Sequence, residues 1–477
     1  MKFKIYLIIL LVAGLFSCRK ELLNPIPQTS ISDIVAFETP ERTLAAVNGM
    51  YAGVKVGGFY SGRYYNYQDA RGEEFINETA NGVTNLQTWN FTVSSSTNEV
   101  KNLWGFAYQA INRINVVIAG VESSPISDSL KRQYQGEARF LRALSYHSLI
   151  TIYARPYTDG NGSNPGVPVY TEPQLSQGDN NKARSTVAEV YSLILEDLNF
   201  AEANLPGSHG TAALNVVRAH KNAAIALKTR VHLHKGAYND VITEANKIVS
   251  ATAPFMAPAG VAHQLDPDIK KVFGAGGQTL ENIFSFPFTT LDLPGTQNSL
   301  NQYYSPGGTA GTGNGDYSLN TTTGIVANTN WTATDFRRDF NQVTSGKTYL
   351  RKWTSNTDFV PVIRYAEVLL NLAEALARTN GLDARAIALL NAVRKRSDSG
   401  TTLVPTSQQE LINMILIERR IELLGEGFRS RDLMRLGMGF PAKGTAQAVA
   451  PSDNQYIWPI PQTEILVNRI IVQNPGY

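Results

Sequence analysis

The chain has 477 residues, enough for two or three domains of ordinary size or for one large domain. Hydrophobic residues make up 43% of the sequence, so a sizeable core can form, and the formal net charge is only +3. Because Lys and Arg alternate with Asp and Glu and form no basic stripe, the composition argues against nucleic-acid binding and against strong electrostatic adhesion to membranes.

The first residues have the pattern of an export signal. Lys2 and Lys4 precede an apolar run from Ile5 to Leu15, and this run is shorter than the roughly twenty residues needed to span a bilayer core. A positive start followed by a short apolar stretch is typical of a secretory signal peptide. A small residue then precedes Cys18, as in a bacterial lipobox. The pattern predicts that residues 1–17 are removed and that Cys18 receives acyl chains.

Cys18 is the only cysteine of the chain, so no intramolecular disulfide can form and the single thiol is free for acylation. Two or more acyl chains anchor a protein stably in a membrane, whereas one chain is marginal. The charged and proline-containing residues after Cys18 are typical of a tether. We therefore predict an exported, lipid-anchored protein whose lipidated N-terminus and tether occupy residues 18–40.

Amphipathic helical patterns dominate the rest of the chain. Apolar residues recur every three to four positions in runs that are separated by loops rich in Gly, Asn, Ser and Thr. Small residues at the expected crossings, such as the alanines of 223–226 before Gly236, are typical of tetratricopeptide-like hairpins. The predicted fold is mainly α, with a tetratricopeptide-like helical hairpin scaffold. The predicted helices cover 104–121, 130–153, 187–205, 216–235, 239–250, 362–378, 384–396, 408–424 and 431–436.

Residues 252–358 differ in composition from the helical parts. They are rich in Gly, Asn and Thr and poor in charge, and the short alternating run 283–286 is compatible with a strand. Long loops inside a compact domain usually carry function. We therefore expect residues 41–477 to form one domain, with a helical scaffold from 41–251 and 359–477 and a loop-rich ligand-binding insert at 252–358.

Several sequence motifs occur in a fixed order along nearly the whole chain. The N-terminal half contributes the lipobox cysteine, Trp104 with Tyr108–Asn115, and Gly136–Leu144. The more specific motifs of the C-terminal half are Arg364–Leu370, Leu390–Arg394, Glu418–Leu423, Gly427–Arg435, Trp458–Gln462 and Gln473–Tyr477. Together these motifs resemble those of the SusD/RagB family of surface nutrient-binding lipoproteins.

The resemblance implies a ligand-binding function without catalysis. Proteins of this family sit as a lid on a SusC-like TonB-dependent barrel of the outer membrane, and they pass captured oligosaccharides to that barrel. The resemblance therefore implies a surface-exposed lipoprotein of the cell outer membrane with a glycan ligand and a SusC-like partner. Two alternatives stay open: a peptide-capturing, RagB-like lid of the same transporter class, and a helical scaffold protein that binds no ligand.

Aromatic side chains in the predicted loops are the candidate ligand contacts. Sugar rings stack on aromatic planes, while amides and charged groups bind sugar hydroxyls. Starch-binding members of the family carry a ligand tryptophan at about the position of Trp89, which makes this residue the first candidate. Trp104, Trp353 and Trp458 fall in scaffold motifs and are predicted to lie in the core. The candidate ligand-binding residues are Tyr60, Arg63, Tyr64, Tyr65, Tyr67, Trp89, Asn90, Tyr303 and Trp331.

Residues that could carry catalysis or bind metal give no comparable signal. Glu73 and Glu74 are the only paired carboxylates in a predicted loop, and adjacent side chains diverge, whereas glycosidase carboxylates face each other across the bond they cleave. His232 and His234 are two apart on a predicted helix and face different ways. No phosphate loop or nucleophile elbow is present. We therefore predict no catalytic residue, no metal site and no cofactor.

Arginines are numerous in the C-terminal helices. Nearly equal numbers of opposite charges at three-to-four spacing indicate ion pairs that lock helices together rather than a site for an anionic ligand. The residues concerned are Arg419, Arg420, Arg429, Arg431 and Arg435, with Glu418, Glu422, Glu426 and Asp432.

Overall fold

Residues 35–175, 181–274 and 276–477 are described by the structure, which is a computed structural model. The predicted signal peptide, Cys18 and the tether up to residue 34 lie outside these ranges. The helices are α1 Pro40–Val54, α2 Arg63–Arg71, α3 Leu86–Trp89, α4 Asn98–Gly120, α5 Asp128–Tyr153, α6 Val187–Asn204, α7 Ala212–Val217, α8 Lys221–Lys235, α9 Tyr238–Ala245, α10 Leu300–Tyr304, α11 Tyr365–Asn380, α12 Ala384–Ser397, α13 Gln408–Glu422, α14 Arg429–Arg435 and α15 Gln462–Val467. The strands are β1 Phe75–Asn77, β2 Asn282–Phe286, β3 Tyr317–Leu319, β4 Asn341–Thr344, β5 Lys347–Leu350 and β6 Val360–Arg364.

The strands form small antiparallel pairs rather than a continuous sheet. The pairs are β1 with β3, β2 with β6, and β4 with β5. Phe75 lies opposite Leu319 in the first pair, so the pair joins the N-terminal part of the chain to the Gly-, Asn- and Thr-rich block. The predicted mainly helical class is confirmed, and the alternating run at 283–286 forms part of β2 as the sequence suggested.

A first helical layer consists of α4, α5 and α6, with α5 packed against both neighbours. Helix α6 begins at a capping box in which Thr186 and Glu189 satisfy each other's backbone N–H groups. Arg142 of α5 forms a bidentate ion pair with the buried Asp197 of α6, at 2.8 and 2.7 Å. This pair fixes the register between the two helices.

A second layer consists of the hairpins α8–α9 and α11–α12, together with α13. The small side chains of Ala223, Ala224 and Ala226 on α8 are fully buried, which allows close approach of neighbouring helices. Gly236 ends α8 in the left-handed conformation, with φ of 72°. Arg230 of α8 binds Glu367 of α11 through two contacts of 2.6 Å, and the pair locks the two hairpins together.

Four predicted helices have clearly different boundaries in the structure. Helix α4 begins at Asn98 rather than at 104, and α9 ends at Ala245 rather than at 250. In the other two the chain leaves the helical conformation. The predicted helix 216–235 is interrupted between α7 and α8, where Arg218 is extended and its guanidinium binds the carboxylate of Glu137 at 2.8 Å. The predicted helix 362–378 begins only at Tyr365, because the preceding residues pair with β2 as strand β6. In both of these helices a contact with a distant part of the chain holds the residues in an extended conformation, so the helix does not continue through them.

The prediction that residues 59–69 form a loop is wrong. Residues from Arg63 onward form α2, and every α2 residue from Tyr64 to Arg71 is buried. A helix that is buried on all sides has no alternation of polar and apolar faces, so the sequence lacked the period from which helices are inferred. The predicted core positions of Trp104, Trp353 and Trp458 are confirmed.

The prediction of ion pairs among the charged residues of the C-terminal helices is confirmed for Arg419 and Arg435, which pair with Asp432 at 3.1 and 2.7 Å. Glu418, Glu422 and Glu426 are also paired, but with arginines outside the predicted set.

The buried carboxylate of Glu422 on α13 pairs with Arg337, Arg364 and Arg396 at 2.9, 2.8 and 2.6 Å. Burial alone would raise the pKa of Glu422, but the three neighbouring guanidinium groups hold it well below its usual range. We name this group, with Glu281, Glu418 and Glu426, the buried arginine cluster.

Asp69 on α2 is a buried carboxyl that has no cationic partner at hydrogen-bonding distance among the residues that the structure describes. It accepts hydrogen bonds from the Tyr304 hydroxyl at 2.8 Å and the Gly427 amide at 3.0 Å. Burial raises the pKa of Asp69 to about 7, whereas an unfolded aspartate titrates near 3.9. Between these two pKa values the folded state keeps a proton on Asp69 that the unfolded state has already released. The free energy of unfolding therefore falls as the pH rises through that interval.

Replacing Asp69 with asparagine removes this titration and keeps an acceptor for Gly427. We expect the loss of stability between pH 5 and pH 8 to be smaller in Asp69→Asn than in the wild type, by about 1–3 kcal/mol. Urea denaturation at the two pH values measures this difference. Identical pH dependence in the two proteins would show that Asp69 titrates normally in the folded state.

Candidate functional site

The tyrosines of 60–67 lie inside the protein. The Tyr60 hydroxyl is 2.8 Å from the Ser148 hydroxyl of α5, and the Tyr65 hydroxyl donates to the carbonyl of Pro361 in β6 at 3.0 Å. Tyr64 packs against Tyr60 with ring centroids 4.9 Å apart. Tyr67 packs edge-on against Trp458 at 5.2 Å. These rings hold α2 against the scaffold.

The candidates of the Gly-, Asn- and Thr-rich block are also buried. Tyr303 donates its hydroxyl to the carbonyl of Gln297 at 2.7 Å, and the Arg338 guanidinium covers the ring of Trp331 at 4.6 Å. The half-buried Arg63 donates to the Asn298 side chain at 2.5 Å. The structure therefore does not bring these residues together as an open aromatic surface, and their direct contact with a ligand stays a prediction.

Trp89 lies directly beneath a surface cleft. Its indole N–H donates to the carbonyl of Phe75 at 2.9 Å, and the loop at Gly444 covers the ring. A Cβ atom on Gly444 would lie only 3.0 Å from the Trp89 ring, so this close approach requires glycine. Asn90 is half-buried at the end of α3. Trp89 thus supports the cleft from below, although its own ring is buried.

We name this cleft of about 470 Å³ the hydroxyl cleft. Four chain segments that are far apart in sequence converge on it: the end of β1, the turn after β3, the β4–β5 turn and the loop at 442–444. Pockets in which a few polar groups converge around an apolar floor are the usual form of small-molecule sites. Its lining residues are Ile76, Glu78, Ser318, Leu319, Asn320, Thr321, Thr322, Thr323, Gly346, Lys347, Thr348, Ala442, Lys443 and Gly444.

Asn320 organises the polar wall of the hydroxyl cleft. Its side-chain oxygen accepts from the amides of Thr322 and Thr323, both at 3.1 Å, and its amide donates to the carbonyl of Glu73 at 2.8 Å. These bonds fix a tight turn after β3. The exposed hydroxyls of Thr321 and Thr322 have no hydrogen-bond partner within the described ranges, so they are available to a ligand.

A charged pair stands at the opposite side of the cleft. The Glu78 carboxylate accepts from the Ser318 hydroxyl at 2.5 Å and pairs with the Lys347 ammonium. The hydrogen bond from the Lys347 ammonium to Glu78 raises the pKa of Lys347, so the ammonium remains charged. The pair presents acceptor and donor groups to any polyhydroxylated molecule in the cleft.

Lys443 holds the loop that separates Trp89 from the cleft. Its ammonium donates to the backbone carbonyls of Ala70 and Gly72, and it lies 4.4 Å from the Phe91 ring centroid. Burial lowers the pKa of Lys443 well below its usual range. The loop is thereby fixed to the end of α2 and keeps Gly444 on the Trp89 ring.

The carboxylates that were considered for catalysis have structural partners. Glu73 binds Arg429 at 2.6 Å and Glu74 binds Arg420 at 2.7 Å. Glu74 also accepts from the Ile325 amide at 2.5 Å, which connects it to the turn behind the cleft. Among the described residues, no group of three or more His, Cys, Asp or Glu side chains is arranged to hold a metal ion. No helix in the described ranges is both long and apolar enough to cross a membrane.

Sequence reasoning missed the residues that line the cleft. Glu78, Lys347 and Gly444 belong to ordinary turn sequences and carry no motif. The run from Asn320 to Thr323 lies in the block that composition had marked as functional, so the region was indicated although the individual side chains were not.

The structure thus defines a class of mainly helical proteins that carry a polar surface cleft built from turns. Within that class, the chain belongs to the SusD family. A family model described as "SusD family" matches residues 295–477, and one described as "Starch-binding associating with outer membrane" matches residues 41–233. The crystal structure of a SusD superfamily protein from Bacteroides fragilis is 33% identical to this chain. The match covers 91% of this chain and 99% of that protein, with a TM-score of 0.82.

Two further relatives extend the comparison. The SusD-like protein P2 of Formosa agariphila is 25% identical, and the alignment covers 100% of both chains. A laminarin-binding SusD-like protein has a TM-score of 0.74 at 24% identity, covering 92% of this chain and all of that one; this likeness shows the fold alone. The family model, which is described as starch-binding, and the SusD-like relatives support an outer-membrane-associated protein.

Proposed function

We propose that this protein is a lipid-anchored, surface-exposed receptor of the outer membrane that captures oligosaccharides without cleaving them. In this proposal Cys18 carries the anchor, and a SusC-like TonB-dependent barrel receives the glycan. The observation that carries the proposal is the hydroxyl cleft, whose lining combines the threonine hydroxyls of the turn after β3 with the Glu78–Lys347 pair. The starch-binding and laminarin-binding relatives support a glycan as the ligand.

The chemistry of the cleft suits reversible binding. Sugar hydroxyls both donate and accept hydrogen bonds, so they can bind Glu78, Lys347 and the hydroxyls of Thr321 and Thr322 at the same time. Hydrogen bonds to charged groups contribute about 1.5–3 kcal/mol each, and neutral ones about 0.5–1.5 kcal/mol. A few such contacts in an open cleft give moderate affinity, which a carrier needs in order to release its cargo.

A peptide is the second candidate ligand of the same cleft. The oppositely charged side chains of Glu78 and Lys347 are complementary to charged peptide groups, so the pair does not by itself distinguish the two ligand classes. A scaffold protein without a small-molecule ligand would bind neither. Titration calorimetry of the purified protein against starch and laminarin oligosaccharides and against short peptides separates these three possibilities.

Lys347→Ala tests the cleft as the site of binding. We expect glycan affinity to fall by about tenfold to a hundredfold, because a charged donor worth about 1.5–3 kcal/mol is removed. The fold should be unaffected, since the Lys347 side chain is 45% exposed. Calorimetry gives the affinity, and thermal unfolding gives the stability.

The matched control is Lys270→Ala. Lys270 forms an exposed ion pair with Asp339, at 2.7 Å, and it lies outside the cleft lining. It should leave glycan affinity unchanged. Equal affinities for the wild type and Lys347→Ala, in a protein that binds glycans, would place the binding site elsewhere.

A further inference from the structure

Helix α4 carries one exposed stripe that borders two adjoining grooves. Its residues recur every three to four positions: Gly105, Gln109 and Asn112 line the first groove, and Val116 and Ala119 line the second. The grooves have volumes of about 400 and 410 Å³. Since helical residues at this spacing share a face, the two grooves belong to a single surface of the molecule.

Two other segments complete this surface. Residues 170–175 run along α4, where Asn112 and Gln174 exchange hydrogen bonds of 3.0 and 2.7 Å. Residues 462–472 adjoin them, because the Trp104 indole donates to Glu464 of α15 at 3.2 Å. We name the α4 stripe together with these two segments the α4 face.

Large apolar side chains are exposed on the α4 face. Helix α15 buries none of its residues. Exposed side chains of this size are tolerated singly, but a cluster of them marks a surface that contacts a partner or a membrane. The exposed fractions are 65% for Leu175, 71% for Leu466, 54% for Val467, 52% for Ile470 and 71% for Val472.

Aromatic and basic side chains accompany these apolar residues. Tyr170 is half-exposed, and its hydroxyl has no hydrogen-bond partner within the described ranges. The Lys182 ammonium lies 5.8 Å from the Tyr170 ring centroid, and Arg469 is exposed beside Ile470. Tyrosine and tryptophan favour the membrane interface, and Lys and Arg attract anionic headgroups. Glu172 is exposed on the same face, so the apolar side chains rather than net charge must supply most of the affinity.

The start of the described chain selects the membrane as the occupant of the α4 face. Phe37 packs on Gly120 at the end of α4, where an added Cβ would lie 2.1 Å from its ring, and it lines the second groove with Leu175. The chain that leads back to Cys18 therefore joins the fold at this surface. Seventeen peptide units separate Cys18 from Val35 and span at most about 60 Å.

We propose that the α4 face lies on the lipid surface, with Leu466, Val467, Ile470 and Val472 inserted among the headgroups. The proposal rests on the lipid anchor of the proposed function. The acyl chains predicted at Cys18 hold the protein at the membrane but leave its orientation free, and a contact made by the protein surface itself adds to the attachment. It also restricts how the receptor is oriented on the membrane.

The test uses residues 18–477 with Cys18→Ser, which cannot be acylated. We expect this protein to sediment with vesicles of phosphatidylethanolamine and phosphatidylglycerol, with only weak dependence on salt. The double variant Leu466→Ser/Ile470→Ser should bind these vesicles about tenfold more weakly, because it removes apolar surface that enters the interface. Its glycan affinity should be unchanged, so that failure of this proposal is distinguishable from failure of the proposed function.

The matched control is Val343→Ser/Val404→Ser. These side chains are 73% and 70% exposed and lie outside the α4 face, so this variant should bind vesicles like the parent protein. The proposal is overturned if the unacylated parent does not sediment with vesicles, or if both double variants bind equally. It is also overturned if Leu466→Ser/Ile470→Ser keeps vesicle binding but no longer co-purifies with a barrel partner, because the face then contacts protein rather than lipid.

Discussion

Replacing Arg364 with methionine is expected to lower the free energy of unfolding by about 3–5 kcal/mol. Arg364 binds both carboxylate oxygens of Glu426 at 2.8 Å, and it binds Glu281 at 2.6 Å and Glu422 at 2.8 Å. Methionine fills a similar volume but supplies no charge. The carboxylates of Glu281, Glu422 and Glu426 would then lose the guanidinium that they share, and the low local dielectric would strengthen their mutual repulsion.

Equilibrium denaturation in urea at pH 7 measures this loss. The control is Arg42→Met, because Arg42 also pairs with a glutamate, Glu38, at 2.9 Å, but both side chains are about half exposed. Exposed pairs of this kind contribute about 0–1 kcal/mol. Similar losses in the free energy of unfolding for the two variants would mean that solvent screens the buried arginine cluster. The ion pairs of the cluster would then not be what holds β6 against α13.

The helical scaffold was largely predictable. Helices α4, α6 and α13 are packed on one side and exposed on the other, and the almost uniformly buried α8 and α11 are long and rich in Ala and Leu, which favour helix. The boundaries of α5, α12 and α13 agree with the periodic patterns to within a few residues. The helix α2 was not predicted, because it is short, polar in sequence and buried on all sides. The break between α7 and α8 was not predicted either, because it depends on the ion pair between Arg218 and the distant Glu137. Neither condition leaves a local pattern in the sequence.

The candidate site was predictable only as a region. Composition marked the block that contains Asn320–Thr323 and Lys347, but the cleft also needs Glu78 from the end of β1 and Gly444 from the C-terminal part. These positions are separated by long stretches of chain, and their convergence depends on the β1–β3 pairing. The tyrosines that were predicted to contact a ligand instead hold the scaffold together. A buried tyrosine whose hydroxyl is hydrogen-bonded cannot be distinguished from an exposed one by sequence composition.

Trp89→Ala is expected to have the second large effect, a loss of about 3–5 kcal/mol in the free energy of unfolding. The substitution leaves a cavity under Ile76 and Gly444 and leaves the carbonyl of Phe75 without its indole donor. Since Ile76 and Gly444 line the hydroxyl cleft, we also expect glycan affinity to fall by at least tenfold. Urea denaturation and calorimetry measure the two losses in the same protein.

Trp89→Phe separates support of the cleft from direct contact with a glycan. Phenylalanine keeps an aromatic ring at this position but lacks the outer indole ring, whose Cη2 and Cζ2 atoms lie closest to Gly444, and it lacks the hydrogen bond to Phe75. We expect a loss of stability of about 1–3 kcal/mol, smaller than that of Trp89→Ala. If Trp89 acts by supporting the cleft floor, glycan affinity should stay within about threefold of the wild type, since no contact between protein and ligand is removed. A stable Trp89→Phe protein without glycan affinity would instead require the indole itself to reach the ligand. The loop held by Lys443 would then have to move away from the ring, and the aromatic contact that the sequence predicts at this position would exist in the bound state.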